Sequence, residues 1–112
     1  MRSHGAVASK ELGKDVVRAV WADWRTAPVS EKLRATLGYL ETMSLRPEAL
    51  SADDLAPLRA AGVRDAAIED AIYVCATFQI IIRIADALEF HVPDDDALDR
   101  AADAMLSRGY VM

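Results

Sequence analysis

Cysteine is nearly absent from this chain, since Cys75 is the only one among 112 residues. A single thiol excludes a disulfide within the chain and any metal site built from several cysteines. Histidine is scarce as well: only His4 and His91 occur, too far apart in sequence to form a metal-ligand pattern. We therefore expect no metal, no other cofactor, and a reduced protein located in the cytoplasm.

A basic excess is also lacking. Thirteen lysines and arginines stand against eighteen acidic residues, which gives a net charge of −5, and the basic residues are scattered. A nucleic-acid interface needs the opposite sign. The segment LRAAGVRDAAIEDAI has the layout of a helix-turn-helix, but it offers Asp65, Glu69 and Asp70 where a recognition helix carries basic residues. We predict no nucleic-acid partner.

An uninterrupted membrane-spanning run is lacking too. The 18 residues from Ala71 to Leu88 approach the required length, but they contain Gln79, Arg83 and Asp86, which are costly in hydrocarbon. The first fifteen residues are polar and have no secretory signal pattern. The sequence therefore predicts a packed helix in a soluble protein, without a membrane partner.

Strand patterns are absent, because the β-branched runs lie inside a long helical pattern. The sequence predicts one all-α domain, residues 1–112, of five to six helices. Helices are expected at about 3–12, 14–24, 31–44, a short one around Pro57, 66–90, and a last one that ends near 107. Caps are expected at Ser30, at Ser51 with Asp54, at Asp65 and at Asp94–Asp96, and helix ends at Gly13, Gly62 and Gly109.

Apolar residues are abundant. They make up 53% of the chain, above the roughly 45–50% of ordinary globular proteins. A domain this small has few interior places for the excess, and the helix around residues 71–88 is apolar on nearly every side. We therefore expect a homo-oligomer, a dimer or higher.

Three polar residues interrupt that apolar helix at helical spacing. Gln79, Arg83 and Asp86 fall at i, i+4 and i+7, so they share one stripe. Either the stripe binds an anionic substrate group through the Arg83 guanidinium, or it is a structural ion pair. In both cases we expect Arg83 to be buried and paired with Asp86 or another acid, so that Arg83→Ala costs about 3–5 kcal/mol.

The remaining candidates for chemistry have simpler interpretations. Cys75 lies between apolar neighbours, so we expect core packing rather than a reactive thiol. His91 follows the long helix, where a cation at the negative helix end is favourable. His4 is read either as part of a frayed tail or as a proton-transfer group.

Five segments, in this order, resemble the C-terminal portion of AhpD-like, peroxidase-related proteins of the carboxymuconolactone decarboxylase and alkylhydroperoxidase superfamily. They are WRTAPVS (24–30), LRP (45–47), LSADDL (50–55), LRAAGV (58–63) and RIADAL (83–88). The resemblance implies an all-helical, oligomeric fold. It also implies a C-x-x-C-x-x-x-H active site that reduces hydroperoxides as an antioxidant oxidoreductase.

On this resemblance His4 occupies the position of the family histidine, but the C-x-x-C is missing from the sequence. Ile82 and Glu89 also depart from the family, which often has asparagine and glycine there. The dithiol cycle needs an attacking thiolate and a resolving thiol. We therefore expect a catalytically inactive relative or a fragment whose start lies upstream.

The alternative is a non-catalytic helical assembly or a small-ligand-binding module that uses Gln79, Arg83 and Asp86. The expected small-molecule partner is a small hydroperoxide or another small molecule.

Overall fold

The computed structural model describes residues 2–109, with side chains from residue 4 onward. Over this range the chain is helical and has no strand, which confirms the all-α prediction. The α-helices are α1 (Arg2–Leu12), α2 (Lys14–Asp23), α3 (Glu31–Leu45), α4 (Ala56–Ala60), α5 (Asp65–Ala87) and α6 (Asp95–Arg108), and two 3-10 turns, Pro47–Ala49 and Ala52–Leu55, precede α4. Within the described range no helix combines the length and apolarity needed to cross a membrane.

The helices form two compact units. Unit 2 spans Pro28–Ile84, and unit 1 combines the segments on either side of it. The boundary falls near the end of α5, so most of that helix belongs to unit 2. That the whole chain acts as one domain stays a prediction.

Unit 1 is organised around α1, which packs against both α2 and α6. Val17 of α2 and Leu98 and Ala102 of α6 are buried. Gly5 allows the close approach of α1 and α2, because a Cβ there would come within 2.5 Å of the Trp21 ring. These contacts position His4, which lies in the first turns of α1.

Unit 2 is built from α3, α4 and the greater part of α5. Leu58 of α4 and Ile68 of α5 are its enclosed side chains, at 1% and 5% exposure. Two caps predicted from the sequence are confirmed: Ser30 accepts a hydrogen bond from the Leu33 amide, and Ser51 and Asp54 form a reciprocal capping box. Each cap satisfies amide groups that would otherwise lack a partner at a helix start.

The predicted helix ends are only partly confirmed. Gly13, Gly62 and Gly109 have positive φ and follow helices, as expected. The long helix, however, ends at Ala87 rather than near Phe90. Glu89 adopts the left-handed conformation at φ 51°, and the Phe90 amide donates to the Ala85 carbonyl at 2.9 Å. This arrangement closes the helix three residues early, as a glycine commonly does.

Few side chains are enclosed. Among the described residues the buried apolar set is small: Val17, Ala27, Leu58, Ile68, Leu98 and Ala102. Large apolar side chains are exposed instead, and many of them lie on α5 or just after it. The hydrophobic excess of the sequence is therefore on the surface of the isolated chain.

The two glutamates Glu69 and Glu89 provide a test of the end of α5. We expect Glu89→Gly to raise the free energy of unfolding by about 0.5–1 kcal/mol, because it relieves a left-handed L-residue. The matched change Glu69→Gly, inside the helix, should lower it by about 1 kcal/mol. Denaturant titration at one fixed protein concentration measures both. Two shifts of the same sign would contradict the assigned end of the helix.

Candidate functional site

The long helix α5 has an inner face and an outer face. The inner face carries the buried and half-buried side chains of α5 that belong to unit 2: Ile68, Ala71, Ile72, Cys75, Phe78, Gln79 and Ile82. The outer face is exposed and mostly apolar, with Tyr73, Ile80 and Ile84 among its members. Two of the predicted candidates, Cys75 and Gln79, therefore lie on the packed side.

A small polar cluster joins α3 to this inner face. The Gln79 amide Nε2 donates to Ser44 Oγ at 2.7 Å and lies 3.6 Å from Cys75 Sγ. The Ser44 hydroxyl is also 3.6 Å from that sulfur. Cys75 is half-buried rather than enclosed, so the expectation of simple core packing is only partly right.

The chemistry available to this cluster is limited. It holds one thiol, one hydroxyl and one amide, and none of these is a base that takes a proton near neutral pH. The arrangement instead satisfies polar groups where two helices meet. In the sequence, Ser44 is the polar continuation of an apolar repeat on α3, Leu33, Leu37 and Leu40. The residues that Ser44 contacts are determined by tertiary packing.

Arg83 is exposed, so the prediction of a buried Arg83 ion pair is wrong for the isolated chain. Its Nη1 donates to the Gln79 carbonyl oxygen at 3.0 Å and lies 3.4 Å from Gln79 Oε1. One turn of helix carries Arg83 about 40° further round than Gln79, past the edge of the inner face. Asp86 is exposed as well, and a substrate-binding role for Gln79, Arg83 and Asp86 stays a prediction.

The histidines differ from their expected settings. His4 lies within α1 and is exposed, so the frayed-tail interpretation is wrong. His91 is exposed four residues beyond the end of α5, where it does not act as the C-cap, because the backbone amides of Glu89 and Phe90 close the helix. A catalytic role for His4 by resemblance is untested.

Unit 2 also contains a pocket of about 390 Å³ that the sequence did not reveal. It is lined by Tyr39, Leu55, Arg59, Asp65, Ile68, Glu69, Ile72 and Tyr73. Its walls are mainly aliphatic and aromatic, and charged groups lie at the first turns of α5. A volume of this order accommodates a small organic molecule.

An ion pair holds one side of this pocket. Arg59 Nε lies 3.0 Å from Asp65 Oδ1, and Nη2 lies 3.3 Å from Oδ2. The hydrogen bond and charge of Arg59 lower the pKa of the Asp65 carboxyl below its ordinary value. Both groups therefore carry their charges at neutral pH, and the pair is lost as the pH falls through that lowered pKa. The predicted cap at Asp65 is wrong, because Asp65 is the first residue of α5 and its side chain bonds Arg59.

No protein-family model matches this chain, and no curated protein is significantly similar to it. Among the described residues there is also no group of three or more side chains of the kind that hold a metal ion. Membership of the AhpD-like family therefore stays a prediction from the residues quoted above.

Arg83→Ala tests the corrected placement of this side chain. Because Arg83 is exposed and bonds only Gln79 oxygens in the described residues, we expect a loss of unfolding free energy below about 1 kcal/mol. Leu58→Ala, at an enclosed position, should cost about 2–5 kcal/mol and shows that the assay resolves a core change. A loss of 3 kcal/mol or more for Arg83→Ala would contradict this placement and would show that Arg83 forms a buried ion pair.

Proposed function

We propose that this chain is an AhpD-like, peroxidase-related protein that works as a subunit of a homo-oligomer, and that the residues of this sequence do not run a dithiol peroxidase cycle. The observation that carries the oligomer is the exposed apolar face of α5. The family assignment depends on the resemblance, to which the structure adds one supporting detail.

That detail is the backbone at residue 89. The resembling proteins often have glycine at this position, and here Glu89 has φ 51°, a conformation that favours glycine. The backbone at residue 89 therefore has a conformation that suits glycine, although this chain has glutamate there. This supports the alignment of RIADAL and the residues after it.

The redox chemistry follows from the residues that are present. A dithiol cycle forms a disulfide between two cysteines while a hydroperoxide is reduced, and a reductant then restores both thiols. Cys75 is the only cysteine in this sequence, and its sulfur contacts Ser44 and Gln79, neither of which is a thiol. His4 can transfer a proton but cannot supply electrons.

Self-association is supported by the surface of the chain. On α5 and just after it, eight large apolar side chains are exposed: Tyr73, Val74, Ile80, Ile81, Ile84, Leu88, Phe90 and Val92. Exposed apolar side chains grouped in this way mark an interaction site. A standard interface buries about 800 Å² on each partner.

The proposal predicts no catalytic turnover of organic hydroperoxides with a dithiol reductant, and a particle mass of at least twice that of the chain by light scattering. The physical reasons are the lone thiol and the uncovered apolar surface. Turnover that is lost in Cys75→Ser and retained in His4→Ala would contradict the chemical part. A monomer at micromolar concentration would contradict the assembly part.

A second candidate function, small-molecule binding, is favoured by the pocket of unit 2. Tyr39 and Tyr73 supply aromatic surface, and the Glu69 carboxylate has no hydrogen-bond or ion-pair partner among the described residues. A carboxylate beside aromatic rings suits an organic cation with an apolar body. Arg59 does not oppose this ligand strongly, since its charge is paired with Asp65.

Phenethylamine and its neutral analogue phenethyl alcohol distinguish this candidate. We expect the amine to bind about five- to tenfold more tightly, measured by NMR shifts of Tyr39 and Tyr73, because only the amine pairs with Glu69. Glu69→Gln should remove that preference and leave the alcohol unaffected. Equal binding of both compounds to the unchanged chain would contradict the candidate.

A further inference from the structure

We propose that two copies of this chain pair through one defined surface, the outer stripe of α5, with the two helices antiparallel. The outer stripe consists of Tyr73, Val74, Thr77, Ile80, Ile81 and Ile84, all within unit 2. This inference rests on the self-association proposed above and names the surface and the geometry responsible for it.

The spacing of the outer stripe is that of a helix–helix seam. Tyr73, Thr77, Ile80 and Ile84 follow one another at steps of four, three and four residues, which places them along one side of a helix. Val74 and Ile81, seven residues apart, widen the same side. The inner face of α5 lies on the opposite side, so the outer stripe takes little part in packing unit 2, and of its residues only Tyr73 also lines the pocket of that unit.

The apolar side chains of the outer stripe are largely uncovered in one chain. Tyr73 is 64% exposed, Ile80 is 61% exposed and Ile84 is 49% exposed. Val74 and Ile81 are likewise more than half exposed. Apolar surface of this extent on consecutive helical turns marks an interaction site.

A second copy fits this surface in spacing and in charge. The outer stripe contains no charged residue, so two copies of it meet without repulsion although each chain carries a net charge of −5. A two-fold interface also requires a surface that is complementary to itself, and an uncharged apolar helix face meets this requirement.

The antiparallel orientation follows from the charges of α5. Asp65, Glu69 and Asp70 lie in its first two turns. Parallel pairing would bring two such acidic ends together, whereas antiparallel pairing separates them and opposes the helix dipoles favourably. Arg83, near the other end, then lies closer to the acidic end of the second copy.

The glutamate variants Ile80→Glu and Leu45→Glu locate the seam. Leu45 is a matched control because it is a 72% exposed aliphatic residue of unit 2 outside the outer stripe. Each substitution counts twice in a symmetric dimer, so Ile80→Glu should weaken dimerisation by roughly a thousandfold or more, measured by sedimentation equilibrium. Leu45→Glu should leave it unchanged. Circular dichroism checks that both variants remain helical.

The outcomes separate this inference from the proposed function. If the unchanged chain dimerises and Ile80→Glu dimerises equally well, the outer stripe is not the seam and self-association stands. If the unchanged chain is a monomer, both proposals fail. If only Ile80→Glu dissociates, the outer stripe is the seam.

Cysteine cross-linking determines the orientation in a Cys75→Ser background. Ala66 lies on the same side of α5 as the outer stripe. In an antiparallel pair centred on the outer stripe, the two copies of residue 77 lie near the symmetry axis, whereas those of residue 66 lie about 38 Å apart. Thr77→Cys should therefore form a disulfide-linked dimer under mild oxidation, and Ala66→Cys should not. Cross-linking at both positions would indicate parallel helices and overturn the orientation.

Discussion

The dominant physical constraint on this molecule is a 23-residue helix that is apolar on two opposite sides. α5 can satisfy one side within unit 2, where Ile68 is enclosed and the neighbouring inner residues are half-buried. The other side keeps Tyr73, Ile80 and Ile84 in water. Each buried aliphatic side chain contributes about 1.5–3 kcal/mol, so the uncovered side is a large source of binding free energy.

The same constraint explains the polar contacts of the inner face. Where α3 meets α5, the Gln79 amide is placed in a largely apolar setting and needs a partner. Ser44 supplies that partner, and the Cys75 sulfur completes the contact. Arg83 lies beyond the edge of the inner face, so its side chain remains in water and donates to the Gln79 oxygens. The cluster is accounted for by helix packing and needs no bound substrate.

The sequence predicted features that depend on neighbouring residues alone. Ser30 and Asp94 cap their helices because each side chain reaches an amide three residues ahead. Predictions from the sequence were wrong where the structure depends on a residue far away in the chain or on an unusual backbone conformation. The early end of α5 depends on a glutamate in a left-handed conformation. The polar cluster depends on Ser44 and Gln79, which are 35 residues apart, and exposure of Arg83 depends on which side of α5 unit 2 covers.

The central claim is that a second copy of the chain completes the structure around α5, and the concentration dependence of thermal unfolding tests it most directly. If folding is coupled to association, the unfolding midpoint must rise with protein concentration, because mass action favours the assembled state. We expect a clear rise between about 1 and 100 µM. A midpoint that stays constant over that range would show that the folded state does not depend on association, and would contradict the account.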